Sequence, residues 1–178
     1  MDLFRAAERL MVMNDRTWAR PANALSVYSR IGGGIGIFLA LYSAHWVGWW
    51  ACLPVLLAVA WTWANPRLFA PPDHADGWAQ RGVLGERAFL NRANVPVPAE
   101  FERACWLTTG LTAAFMVPAI LGLAVGDLAL GLTGWLAAMS AKIWFVDRCA
   151  LLWDAMKDRH PTYEAWARAD WDARLPSA

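Results

Sequence analysis

Four short stretches carry the side chains able to do chemistry: TWARPAN (17–23), WTWANPRLF (61–69), VLGERAFLNR (83–92) and KIWFVDR (142–148). They set Arg20, Asn23, Asn65, Arg67, Glu86, Arg87, Asn91, Arg92, Lys142, Asp147 and Arg148 beside long apolar runs. A guanidinium presents a planar fork that grips phosphate or carboxylate through two parallel hydrogen bonds. Several of them near a headgroup plane would make a pocket for an anionic lipid head or a phosphorylated small molecule. The same residues have a plainer reading, in which inner-surface arginines enforce topology and pair with Glu86 and Asp147. Lys142 interrupts an apolar run, and an ionisable group at membrane depth is by default a functional candidate. A lysine about one turn from the boundary also reaches the headgroups by extending its stem.

Other chemistries find little footing. His45, His74 and His160 are spread over three different loops, and DHAD (73–76) is the one place where carboxylates flank a histidine. Cys52, Cys105 and Cys149 occur singly, without a C-x-x-C pair, which argues against a disulfide framework or a thiolate metal site. GGGIG (32–36) fits neither a dinucleotide fingerprint nor a phosphate loop, and no nucleophile elbow or zinc-protease signature occurs. No catalytic residue, metal, cofactor or nucleic-acid partner is expected.

The elements that must position these side chains are set by hydropathy. Of 178 residues 58% are hydrophobic, 13 are tryptophan, and the mean hydropathy is +0.28. Apolar runs cover 31–44, 47–64, 104–126 and 128–146. Crossing a bilayer takes roughly 17–25 helical residues, so the last three suffice, and the first does if its helix begins near Asn23 with Arg30 snorkelling two turns in. The net charge of +1 conceals a sorting of the 16 Lys and Arg residues: five precede the first run, five lie between the second and third, five follow the fourth, and the last is Lys142. The tight connections at 43–46 and 126–127 contain none. The positive-inside rule then places the basic segments in the cytoplasm.

The fold expected is all-α and integral to the bacterial inner membrane: four transmembrane helices in two hairpins, with cytoplasmic interfacial amphipathic helices and both termini cytoplasmic. Its divisions are an amphipathic segment (1–22), a first hairpin (23–64), a cytoplasmic loop (65–103), a second hairpin (104–146) and a helical tail (147–178). Trp46, Trp49 and Trp50 at one boundary and Trp61, Trp63, Trp106 and Trp144 at the other suit aromatic belts.

Finer expectations follow from residue type. Residues 1–13 read as an amphipathic helix on the inner leaflet, or as an idle extension if translation starts at Met13. Asn23 is the expected N-cap of the first span. Gly32, Gly33, Gly34 and Gly36 form a small-residue face that lets a neighbouring backbone come close, from this chain or from another subunit. Four helical glycines disfavour the helix by about 1 kcal/mol each, which argues for a packing partner. Pro54 and Pro118 fall inside spans, where proline kinks the helix. Residues 77–91 suit a short interfacial helix, the fourth helix runs on past residue 147, and His160-Pro161 ends it.

The combination DRTWARPAN, WTWANPRLF, GERAFLNR, VPVPAEF and KIWFVDR resembles a family of small bacterial and archaeal membrane proteins without an assigned activity. The similarity covers roughly residues 13–166. It departs where Pro21 replaces the family's histidine and Ala24 its proline, so any chemistry of that histidine is missing here. The resemblance implies the fold and supplies no function. Two functional expectations remain. One is a non-catalytic accessory or assembly protein that docks to another integral membrane protein, or to itself, and binds membrane lipids. The other is an enzyme or binding protein for an anionic lipid or phosphorylated small molecule, built around Asn65, Arg67, Arg87, Asn91, Arg92 and Asp147.

Overall fold

The computed structural model describes residues 17–173. The expected amphipathic helix at residues 1–13 lies outside the described residues. Every regular element among those described is helical. A 3-10 turn (Thr17–Ala22) containing Pro21 leads into α1 (Ala24–Tyr42). Asn23 caps α1 as its residue type favours: its backbone is extended and its side-chain oxygen accepts the Leu25 N–H at 2.9 Å.

A single helical turn (Ala44–Val47) and a 3-10 turn (Gly48–Ala51) separate α1 from α2 (Cys52–Leu68). Gly48 sits between them at φ +56° and ψ −127°, backbone space open to glycine and strained for other residues. Trp46, Trp49 and Trp50 are exposed around this turn. Since α2 starts at Cys52, Pro54 falls in its first turn, where proline is tolerated. The kink expected at Pro54 is thus replaced by the turns before it.

After a proline-rich connection come α3 (Trp78–Leu90), α4 (Ala99–Val125), α5 (Leu128–Met156) and the short α6 (Pro161–Ala167). Three stretches are long and apolar enough to cross a membrane: Ala24–Leu68 with its internal turns, Ala99–Val125 and Leu128–Met156. The first stretch folds back on itself, because Ser26 near its start donates a 2.7 Å hydrogen bond to Asn65 near its end.

Glycines draw α4 and α5 together, though not those of the Gly32–Gly36 face. Gly126, at φ +75°, ends α4, and Asp127 then caps α5 by accepting the Leu130 N–H at 3.0 Å. Beyond this turn the two backbones touch: a Cβ on Gly122 would overlap the Gly131 backbone, and one on Gly134 would overlap Ala119. On α1 the expected small-residue face is only partly used. Gly34 meets the Met139 sulfur and Gly33 the Trp61 indole, whereas nothing lies within 4 Å of a Cβ placed on Gly32 or Gly36. Phe38 and Tyr42 of α1 pack with Ala119 and Trp135 to close this end of the bundle. His45 Nε2 lies 2.7 Å from the Leu123 carbonyl, and Tyr42 donates to the Gly126 carbonyl at 2.7 Å.

The opposite end is wider. At 29 residues, α5 is about 43 Å long at 1.5 Å per residue, well beyond the ~30 Å of a hydrocarbon core. Its C-terminal half carries α3, which forms over the expected residues but is buried rather than open on one side. Nine of its 13 residues are buried, Arg87 and Gln80 among them. Gly82 abuts Val146, and a Cβ on Gly85 would overlap the Cys149 carbonyl, so small side chains let α3 seat backbone to backbone on α5. His160 accepts the Thr162 N–H and, with Pro161 at the first position, starts α6. Tyr163 and Trp166 of α6 join Leu84, Phe89, Phe145, Leu152 and Trp153 in the main core.

Candidate functional site

The candidate residues come together in several partnered groups rather than one. The first ties the start of α1 to the end of α2. Asn65 is fully buried; its carbonyl oxygen accepts from Ser26 Oγ at 2.7 Å and its amide donates to Ser29 Oγ at 2.8 Å. Arg20 donates to the Arg67 carbonyl at 3.1 Å and Asn23 to the Ala70 carbonyl at 3.0 Å. Arg30, expected to snorkel, instead turns back to the Ser26 and Pro21 carbonyls at 3.2 and 3.1 Å. The Arg67 guanidinium donates to the Trp63 carbonyl and stacks 4.2 Å above the Trp63 ring.

The second group fastens α3 to α5. Lys142 pairs with Glu86 at 3.3 Å and lies 4.2 Å over the Phe145 ring. Asp147 accepts from the Trp78 indole at 3.2 Å and pairs with Arg148 at 2.7 Å, while Arg81 pairs with Asp154 at 2.7 Å. The Lys142–Glu86, Trp78–Asp147 and Arg81–Asp154 contacts join the two helices, whereas Asp147–Arg148 lies within α5; the ion pairs are partly exposed, and each contributes a few tenths to about 1 kcal/mol.

The third group is inside the core. Arg87 is 6% exposed, and its guanidinium stacks 3.8 Å above the Trp166 ring; a desolvated cation over an indole contributes on the order of 2 kcal/mol. Asn91 donates to the Tyr163 hydroxyl at 2.9 Å and accepts from Asn94 at 2.9 Å. Burial pushes the Tyr163 phenol above the usual tyrosine range, against the opposing pull of the Asn91 hydrogen bond and the nearby Arg87 charge. Arg92 takes a separate course: it pairs with Glu102 at 3.4 Å, donates to the Phe89 carbonyl at 3.0 Å, and lies over the Phe89 and Trp106 rings.

Of the residues proposed to floor an anion pocket, Asn65 and Arg67 share one corner, Arg87 and Asn91 another, and Arg92 and Asp147 have their own partners. Sequence reasoning missed Ser26, Ser29, Trp78, Tyr163 and Trp166. The signal for the last two was present, since Tyr163 and Trp166 stand three apart directly after a His-Pro helix start. It also missed that Cys105 and Cys149, 44 residues apart, lie with their sulfurs 4.0 Å from one another. Asp73, His74 and Asp76 are exposed on the connection before α3.

The class defined by this architecture is a small protein whose described residues form helices and no strands, with three stretches among them long and apolar enough to span a membrane and a folded core at one end. The chain belongs to DUF6653, a family of unknown function, whose model matches residues 5–170. No curated protein and no solved structure matches it.

Proposed function

We propose that this chain is a non-catalytic accessory or assembly protein of the bacterial inner membrane. In this reading the stretch Ala24–Leu68 crosses twice, giving four spans in two hairpins with both ends cytoplasmic. The basic residues gathered at the α3 end favour that orientation. The protein docks to another integral membrane protein through α1 and α2, and its inner-surface arginines rest among lipid headgroups.

The observation that carries this reading is the emptiness around α2. Only Asn65 and Pro66 of its 17 residues are buried, while Leu53, Leu56 and Leu57 are each at least 59% exposed. Next to it, Gly32 and Gly36 have open space where a side chain would be. A helical glycine is disfavoured by about 1 kcal/mol against alanine, and nothing among the described residues offsets that at these two positions. Close approach by a helix of another protein does. The rival reading, a pocket for an anionic substrate, draws less support because Arg87, Asn91, Arg92 and Asp147 are already engaged with Trp166, Tyr163, Glu102 and Trp78.

The test is purification at native expression level from its own membranes in mild detergent, with mass spectrometry of what accompanies it. The expected result is a stoichiometric complex with a second membrane protein, lost in Gly36→Leu although that variant folds. A lone bundle in both preparations would overturn the docking reading.

A further inference from the structure

A second feature of the α1–α2 pair has a different polarity. Ile37, Leu41, Val55, Val59 and Trp63 line an apolar groove of about 310 Å³ whose wall ends at Arg67. Positions 55, 59, 63 and 67 recur every fourth residue along α2, one continuous stripe about 18 Å long at 1.5 Å per residue. The hydroxyl of Thr62 on this wall already donates to the Ala58 carbonyl at 2.8 Å, so the groove is apolar until it reaches the guanidinium. Stacking on Trp63 holds that guanidinium at the rim, and Arg20, bonded to the Arg67 carbonyl, brings a second positive charge to the same corner.

We propose that this groove binds one anionic phospholipid, its acyl chain along Val55, Val59 and Trp63 and its phosphate at Arg67 and Arg20. The inference rests on the membrane placement argued above and is independent of the docking reading. The order of polarity along the groove, hydrocarbon first and cationic at the headgroup level, is that of a lipid in its leaflet.

Native mass spectrometry of the detergent-purified protein, titrated with phosphatidylglycerol or phosphatidylcholine, tests the assignment. One phosphatidylglycerol is retained, about thirtyfold more tightly than phosphatidylcholine, as about 1 kcal/mol from each of two arginines at a membrane surface implies. Arg67→Gln cuts that preference to about fivefold, and Arg67→Lys keeps most of it, which separates lost charge from lost fold. Val59→Trp, which fills the groove and leaves the charge in place, weakens both lipids. Arg103→Gln, at an exposed arginine on α4, changes neither. The assignment is overturned if phosphatidylglycerol binding survives both Arg67→Gln and Val59→Trp, or if glycerol phosphate displaces the lipid completely. Cross-linking from position 59 to a second copy or another protein, in place of lipid, overturns it too. Recovery of the protein outside the membrane fraction defeats the membrane placement itself, whereas membrane recovery without these lipid effects defeats the groove assignment alone.

Discussion

At the scale of single residues, two buried polar side chains decide more than the exposed arginines do. Asn65 joins α1 to α2 through two hydroxyls in a setting where α2 has almost no other buried surface. Asn65→Leu keeps the volume and strands the buried Ser26 hydroxyl, while Ser29 still donates to the Ser26 carbonyl at 3.2 Å, so it should lower stability by about 1–3 kcal/mol, the cost of a buried polar group losing its partner, read as a lower unfolding temperature in detergent. Tyr163 offers a pH signature. Its folded-state pKa is raised by burial above the unfolded value of about 10. The neutral phenol therefore contributes stability that is complete below pH ~10 and is lost as pH rises through the folded pKa. Unfolding temperatures measured from pH 9 to pH 12 should fall for the natural protein and lose that component of the fall in Tyr163→Phe. A fall of equal size in both proteins would remove Tyr163 from the account. Asn65 stood out in the sequence beside Pro66 at a span end, but its serine partners sit 36 and 39 residues away, a separation no local pattern encodes.

At the scale of helices, the sequence announces elements well and their faces poorly. The apolar runs, Asn23 as a cap and His160-Pro161 as a break all reappear as α1, α2, α4, α5 and the start of α6, because length, capping and proline geometry act locally. The burial of α3 was hidden for the opposite reason. Its contact with α5 is made by Gly82, Gly85 and Ala88, which hardly register as hydrophobic yet permit the closest approach. The same blindness exchanged the working glycines, Gly122, Gly131 and Gly134, for the more conspicuous Gly32–Gly36 cluster. Paired substitutions make the distinction measurable. Gly85→Ala forces a methyl into the Cys149 carbonyl and should cost about 1–3 kcal/mol or abolish the folded yield. Gly32→Ala meets open space and should be neutral or stabilising by up to about 1 kcal/mol. Equal thermal shifts for the two would contradict the packing described.

At the scale of the molecule, the two ends are built differently: exposed tryptophans and tight turns at one, a core of α3, α5 and α6 with the basic residues at the other. The orientation proposed above rests on that asymmetry and is directly testable. In a Cys52→Ser background, Trp49→Cys should react with a membrane-impermeant maleimide added to intact cells, and His74→Cys should react only after the cells are opened. The reverse pattern would invert the topology. The backbone contact of α4 with α5 has a further consequence for how such a chain can drift over generations. Where Gly122 and Gly134 meet main chain, almost no replacement fits, so those positions should be nearly frozen in a deep mutational survey, whereas Gly131, whose Cβ would meet the Phe38 ring, should tolerate change better. If the proposed docking holds, the outward face of α2 at Leu53, Leu56 and Leu57 should exchange freely among apolar residues in any host without the proposed partner. Any stricter tolerance that appears only in the native host would trace, residue by residue, the outline of what the helix touches there.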